Sequence, residues 1–114
     1  MTIKGIGVDI EDISRFREMP FESNGIFYHK IFTDEEIAYC LTKPDPYPHF
    51  AVRFSAKEAF VKALKINNGS KMIDYKSVKI IKEGSQPFIE FKNSRYLVSL
   101  SHDEDKSIAF VVIQ

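Results

Sequence analysis

Apolar positions along the chain change their period near the middle. Ile3, Ile6 and Val8 alternate with Gly5 and Gly7, which predicts a short strand over Ile3–Val8. Glycines in a strand let another backbone or a ligand come close. Ile10, Ile13 and Phe16 then fall at helical spacing, predicting a helix from Ile10 to about Met19 that Pro20 ends. Thr33 followed by Glu36 is a capping-box pattern and opens a helix through roughly Leu41. Three prolines in the five residues Pro44–Pro48 predict a loop. The strongest helix is expected from about Phe50 to Leu64. It holds no Gly or Pro and carries Phe50, Phe54, Val61 and Leu64 along one side.

Beyond that helix the pattern becomes β-rich. Ser77–Ile81, Pro87–Phe91, Tyr96–Ser101 and Ser107–Ile113 read as strands separated by the turn-like segments 83–86 and 103–106. Four such runs predict an antiparallel meander. Helices first and strands later, with one strand at the start, give an α+β class with the meander packed on the long central helix.

At 114 residues the chain suits one domain over 1–114. A core of this size buries a modest share of its surface, so association with further copies would help it. Sixteen basic and sixteen acidic residues cancel, which disfavours a nucleic-acid binder. The single cysteine, Cys40, has no internal partner for a disulfide. No signal peptide or membrane-length apolar run is visible, so the expectation is a reduced, cytoplasmic protein away from membranes.

Three segments carry candidate chemistry. In Arg53-Phe54-Ser55-Ala56-Lys57-Glu58-Ala59-Phe60-Val61-Lys62-Ala63-Leu64, Glu58 and Lys62 lie four apart on a helix, and Arg53 and Lys57 form a second such pair. A carboxylate beside several cations suits a metal ion and the phosphates it coordinates, and magnesium favours one or two carboxylates. The plainer alternatives are a late capping box at Ser55-x-x-Glu58 and an ordinary surface ion pair. In Gly5-Ile6-Gly7-Val8-Asp9-Ile10-Glu11, Asp9 is expected where a strand hands over to a helix. There it is either a functional side chain or a cap. Glu11 and Asp12 read as solvated acids of the first helical turn. In Val98-Ser99-Leu100-Ser101-His102-Asp103, alternation sets Val98 and Leu100 against Ser99 and Ser101. His102 at the strand end is either a donor to a phosphate or nucleotide or a polar turn residue.

Taken together, these segments resemble the short bacterial holo-acyl-carrier-protein synthases of the 4'-phosphopantetheinyl transferase superfamily. The likeness is carried by Gly5–Arg15, by Arg53–Ala63, and by Val98–His102 with Ile108–Val112, in matching order and spacing. The resemblance implies the superfamily's fold and a magnesium-dependent transfer of 4'-phosphopantetheine from coenzyme A to a serine of apo-acyl carrier protein. It implies release of 3',5'-ADP and a place in fatty acid biosynthesis. Asp9 and Glu58 match the metal-binding carboxylates, Arg53 and Lys62 match residues around the coenzyme A phosphates, and His102 matches a histidine near the nucleotide. Glu58 or a metal-bound water is the candidate base, with Lys62 as the second catalytic group. Lys57 joins the coenzyme A set by its place among these cations. Arg15 matches an arginine that meets the acidic helix of the carrier, and Arg17 is added on charge. The resemblance also implies a homotrimer with active sites at subunit interfaces.

Lys65 stands where relatives place a glycine, so Asn67 or Asn68 is expected to make the turn. Residues Pro20–Tyr28 match no family feature. Two alternatives accompany the main reading. One is the same transfer to a polyketide or peptide-synthase carrier, and the other is a non-catalytic relative that binds coenzyme A or carrier.

Overall fold

A computed structural model describes residues 2–68 and 72–114, with the side chains of 66–68 left aside. Five strands form one antiparallel sheet: β1 (Gly5–Asp12), β2 (Lys79–Glu83), β3 (Gln86–Phe91), β4 (Ser94–His102) and β5 (Lys106–Ile113). Their spatial order is β1-β5-β4-β3-β2, so the meander of the second half gains the N-terminal strand at its end. The expected α+β class is what the fold shows. Four helices precede the meander: α1 (Ile13–Arg17), α2 (Gly25–Ile31), α3 (Asp34–Leu41) and α4 (Tyr47–Asn68).

The first strand runs four residues further than expected. Ile10, Glu11 and Asp12 pair with Ile108, Ser107 and Lys106 of β5, so the helix starts only at Ile13. Local spacing favoured a helix at Ile10, but pairing with a strand almost the whole chain away overrides it. Gly5, Gly7 and Asp9 face inward and are buried, while Ile6, Val8 and Ile10 face out. A side chain at the two glycines has no space. A Cβ at Gly7 would lie 1.9 Å from the Ala59 carbonyl oxygen, and one at Gly5 2.3 Å from that of Ala63. Strand and helix therefore meet backbone to backbone, which carries the next inward residue, Asp9, to the α4 surface.

Helix α4 is longer than predicted at both ends. Pro48 sits in its first turn, where a missing N–H costs nothing because those donors have no intrahelical partner. The helix continues through Asn68, so neither Asn67 nor Asn68 turns the chain, and Gly69 lies outside the described residues. Every residue from Phe50 to Lys57 is buried, because α4 has a core on each side. Against the sheet lie Ala56, Ala59, Phe60 and Ala63 with Val98, Ala109 and Val111. On the other side, Phe50 and Phe54 meet Ile13, Phe16, Tyr28, Phe32 and Cys40. The segment Pro20–Tyr28, unmatched in sequence, forms a short 3-10 turn and the start of α2. It delivers Tyr28 to this second core, with its ring centroid 4.7 Å from that of Phe50.

The expected capping box at Thr33 is present. Glu36 N donates to the Thr33 hydroxyl and Thr33 N donates to Glu36 Oε1. The second capping box considered, at Ser55, is absent. Ser55 lies mid-helix, with its hydroxyl on the Ala51 carbonyl and 2.7 Å from the Ser107 hydroxyl.

Candidate active site

Two polar clusters flank α4. The first gathers where β1 crosses the helix. Asp9 is buried at 8% exposure, and its Oδ1 accepts from Lys62 Nζ at 3.1 Å. The Lys62 ammonium also donates to the Val8 carbonyl at 3.1 Å, and its side chain is half exposed. Glu58 projects from α4 one turn before Lys62, and its Oε1 accepts from the Tyr75 hydroxyl at 2.6 Å. Asp9 is thus a mid-strand residue, which removes the reading of it as a helix cap.

Glu11 belongs to the same cluster, contrary to its expected role as a solvated first-turn acid. It is two residues beyond Asp9 on an extended strand, hence on the same face. Burial, then the adjacent Asp9 carboxylate, then the charge on Glu58 push its carboxyl up to about 7 against the pull of Arg15. Two ionised carboxylates side by side repel, which is why the Asp9 neighbour raises it. Arg15 donates to Glu11 Oε1 at 2.8 Å and lies over the Phe54 ring at 5.4 Å.

The donor set bears directly on a cation. Asp9 Oδ2 is buried and has no hydrogen-bond partner, a costly state that a bound cation would relieve. Among the described residues, no three His, Cys, Asp or Glu side chains close as a full ligand cage. Magnesium needs no such cage, since water and substrate phosphates complete its shell around one or two carboxylates. Asp9 and Glu58 fit that demand, with Glu11 beside them.

The second cluster is cationic and lies between α3, α4 and the far strands. Arg53 is buried, donates to the His49 carbonyl at 3.2 Å and stacks over Tyr39 at 4.5 Å. A cavity of about 230 Å³ is lined by Tyr39, His49, Arg53, Lys82 and His102, among others. The His49 imidazole is held below its usual range by burial, then by Arg53, Lys43, His102 and Lys82. Burial would raise the Tyr39 phenol, but hydrogen bonds from Lys82 and Lys43 outweigh it and hold the group low. The cations around it give the pocket a positive field, which suits an anion. Sequence reasoning found Arg53 and His102 here but missed Tyr39 and Lys82, which no local spacing connects, and His49, whose place four residues before Arg53 fell at the border of the predicted loop with the helix.

Arg53 and Lys62 are nine residues apart on one helix, roughly 13 Å along its axis and on opposite sides. One chain therefore does not bring the predicted phosphate contacts together. Lys57 departs further from expectation. It is fully buried, 2.9 Å from Glu36 Oε1, and donates to the Tyr75 and Val78 carbonyls at 2.9 and 2.7 Å. All three ammonium protons are used inside the protein, so Lys57 has none to offer coenzyme A. Burial depresses its ammonium pKa, against the pull of Glu36. Arg17, on α1, is paired with Asp45 at 2.7 Å.

A sequence profile of the 4'-phosphopantetheinyl transferase superfamily matches residues 5–111. The chain belongs to this superfamily. It is 36% identical to a holo-acyl-carrier-protein synthase of Thermodesulfovibrio yellowstonii, over 97% of this chain and 98% of that one. Among solved structures, the holo-acyl-carrier-protein synthase of Neisseria meningitidis superposes with a TM-score of 0.83 at 28% identity, covering 99% of each chain. That of Helicobacter pylori, solved in complex with coenzyme A, gives a TM-score of 0.81 at 28% identity, over 96% of this chain and 99% of that one. The resemblance read from the three sequence segments thus extends over the whole fold.

Proposed function

We propose that this chain is a holo-acyl-carrier-protein synthase, moving the 4'-phosphopantetheine arm of coenzyme A onto a serine of an apo carrier protein and releasing 3',5'-ADP. The observation that carries the reading is the buried, unpartnered Oδ2 of Asp9 beside Glu58, Glu11 and Lys62. Lys62 engages only one oxygen of Asp9, so the other is left for a further cation. Magnesium is that cation, and when bound it neutralises the diphosphate and stabilises the leaving phosphate.

The chain's own groups do the rest. Lys62, half exposed at the cluster edge, adds positive charge where the diphosphate lies. Arg53, Lys82 and His102 receive the phosphate-bearing nucleotide end in the cationic pocket. Glu58 is the candidate acceptor of the serine proton. Such transfers depend chiefly on positioning and charge, which is what two prebuilt clusters supply. Arg15, half exposed on α1, is the residue placed to meet an acidic helix of the carrier. Arg17, paired with Asp45 as Arg15 is with Glu11, is the second candidate on charge alone.

Homotrimeric assembly belongs to the same proposal. Ile6, Val8 and Ile10 of β1, Ile108 and Phe110 of β5, and Leu97 of β4 leave a face of the sheet apolar and 40–59% exposed. A patch of this kind is usually covered. Copies joined through it would set the carboxylate cluster of one chain against the cationic pocket of another. Among the described residues, no helix is long and apolar enough to cross a membrane. Incubation with coenzyme A, magnesium and an apo carrier should add one phosphopantetheine mass to the carrier, and chelation should stop it. Unmodified carrier in every one of several trials would overturn the proposal.

A further inference from the structure

Lys57 and Glu58 are consecutive on α4, and both hold the same distant residue. Lys57 takes the carbonyl of Tyr75 at 2.9 Å, and Glu58 takes its hydroxyl at 2.6 Å. The Tyr75 ring rests against Phe54, one turn earlier on the helix, with centroids 6.0 Å apart. Behind Lys57 stands Glu36. Its Oε1 lies on the Lys57 ammonium and the Thr33 N–H, and its Oε2 accepts from Ile80 N at 2.8 Å. The segment entering β2 is thus pinned at Tyr75, Val78 and Ile80 by one buried ion pair. Successive helix residues point about 100° apart, so the inner one fixes a segment whose side chain returns to the outer one.

We infer that Tyr75 is a positioning residue for the transferase site: its hydroxyl, anchored through Lys57 and Glu36, fixes the Glu58 carboxylate toward Asp9 and Glu11. The inference rests on the proposed role of Glu58 and assigns a task to two residues that this role leaves unexplained. Lys57 acts on the site from within the core, through Tyr75. The Tyr75 phenol is held above its usual range by burial, then by the hydrogen bond and charge of Glu58. The hydroxyl is the donor of the 2.6 Å bond to Glu58 Oε1. Groups that orient a ligand carboxylate typically change metal affinity or activity by about 10–100-fold when removed.

Tyr75→Phe deletes the hydroxyl and keeps the ring on Phe54. Manganese binding, followed by electron paramagnetic resonance on wild-type and variant protein, should weaken by about 10-fold. At low magnesium the rate of carrier modification should fall by a similar factor, and excess magnesium should restore most of it. The melting temperature should hold. A rate lost equally at all magnesium concentrations, together with a lowered melting point, would show a merely structural residue and overturn the inference. Unchanged manganese affinity and rate would overturn it as well. Failure of the underlying metal reading looks different: wild-type protein itself would bind no manganese and ignore chelation. In that case kcat of Tyr75→Phe at saturating coenzyme A decides, with a fall upholding the positioning role and an unchanged kcat ending it.

Discussion

Asp9 holds two roles with its two oxygens. One neutralises Lys62 at 3.1 Å, and the other is buried without a donor. Asp9→Asn would keep the shape and remove the charge, so the fold should persist while transfer falls by about 100-fold or more, the scale of losing one preorganised electrostatic contact. Glu58→Gln should do the same. Carrier modification read by mass spectrometry, beside circular dichroism melts, checks both, and full activity in either variant removes that residue from the site. Asp9, Glu58, Lys62, Arg53 and His102 were singled out in the sequence by the family resemblance, and the structure sets Lys62 on Asp9 and lines one cavity with Arg53 and His102. Lys57 was misread, since a lysine four residues from an arginine on a helix reads as a surface cation. Only the second core behind α4 reveals that this face points inward, toward Glu36.

At the scale of elements, the contact between β1 and α4 sets the site. Gly5 and Gly7 were readable as a close approach, and the structure identifies the backbone that approaches them. Gly7→Ala forces a methyl against the Ala59 carbonyl. The expected cost is at least about 1–3 kcal/mol, the range for overpacking a close contact. Urea unfolding measures it, and activity should drop with stability because Asp9 is displaced along with the strand. A variant as stable as wild type would show that the strand shifts without strain. The boundary of β1 was not legible, and with it Glu11 was missed. Residues 10–12 are extended because β5 pairs with them, and no local window contains that partner. Tyr75, seventeen residues from Glu58, is invisible for the same reason.

For the whole molecule, the proposed homotrimer links the exposed outer sheet face to the separation of the two clusters. Phe110 sits on that face at 46% exposure, opposite Val8 on β1. Phe110→Glu should leave the monomer folded, since the position faces away from both cores, yet break the proposed homotrimer, which sedimentation would read out. Activity should fall with it, although no cluster residue has changed. A dissociated variant with full activity would place the complete site within one chain.

With its two clusters roughly 13 Å apart along one helix, the proposed interfacial site predicts how the protein behaves when diluted. An enzyme whose centre is completed by another copy has no constant specific activity. Below its association range, the initial rate should rise faster than the first power of protein concentration, with a lag after dilution as copies separate. Under those conditions catalysis itself becomes the measure of assembly. Mixing a chain inactivated at Asp9 with one inactivated at Arg53 should then regenerate activity that neither possesses alone.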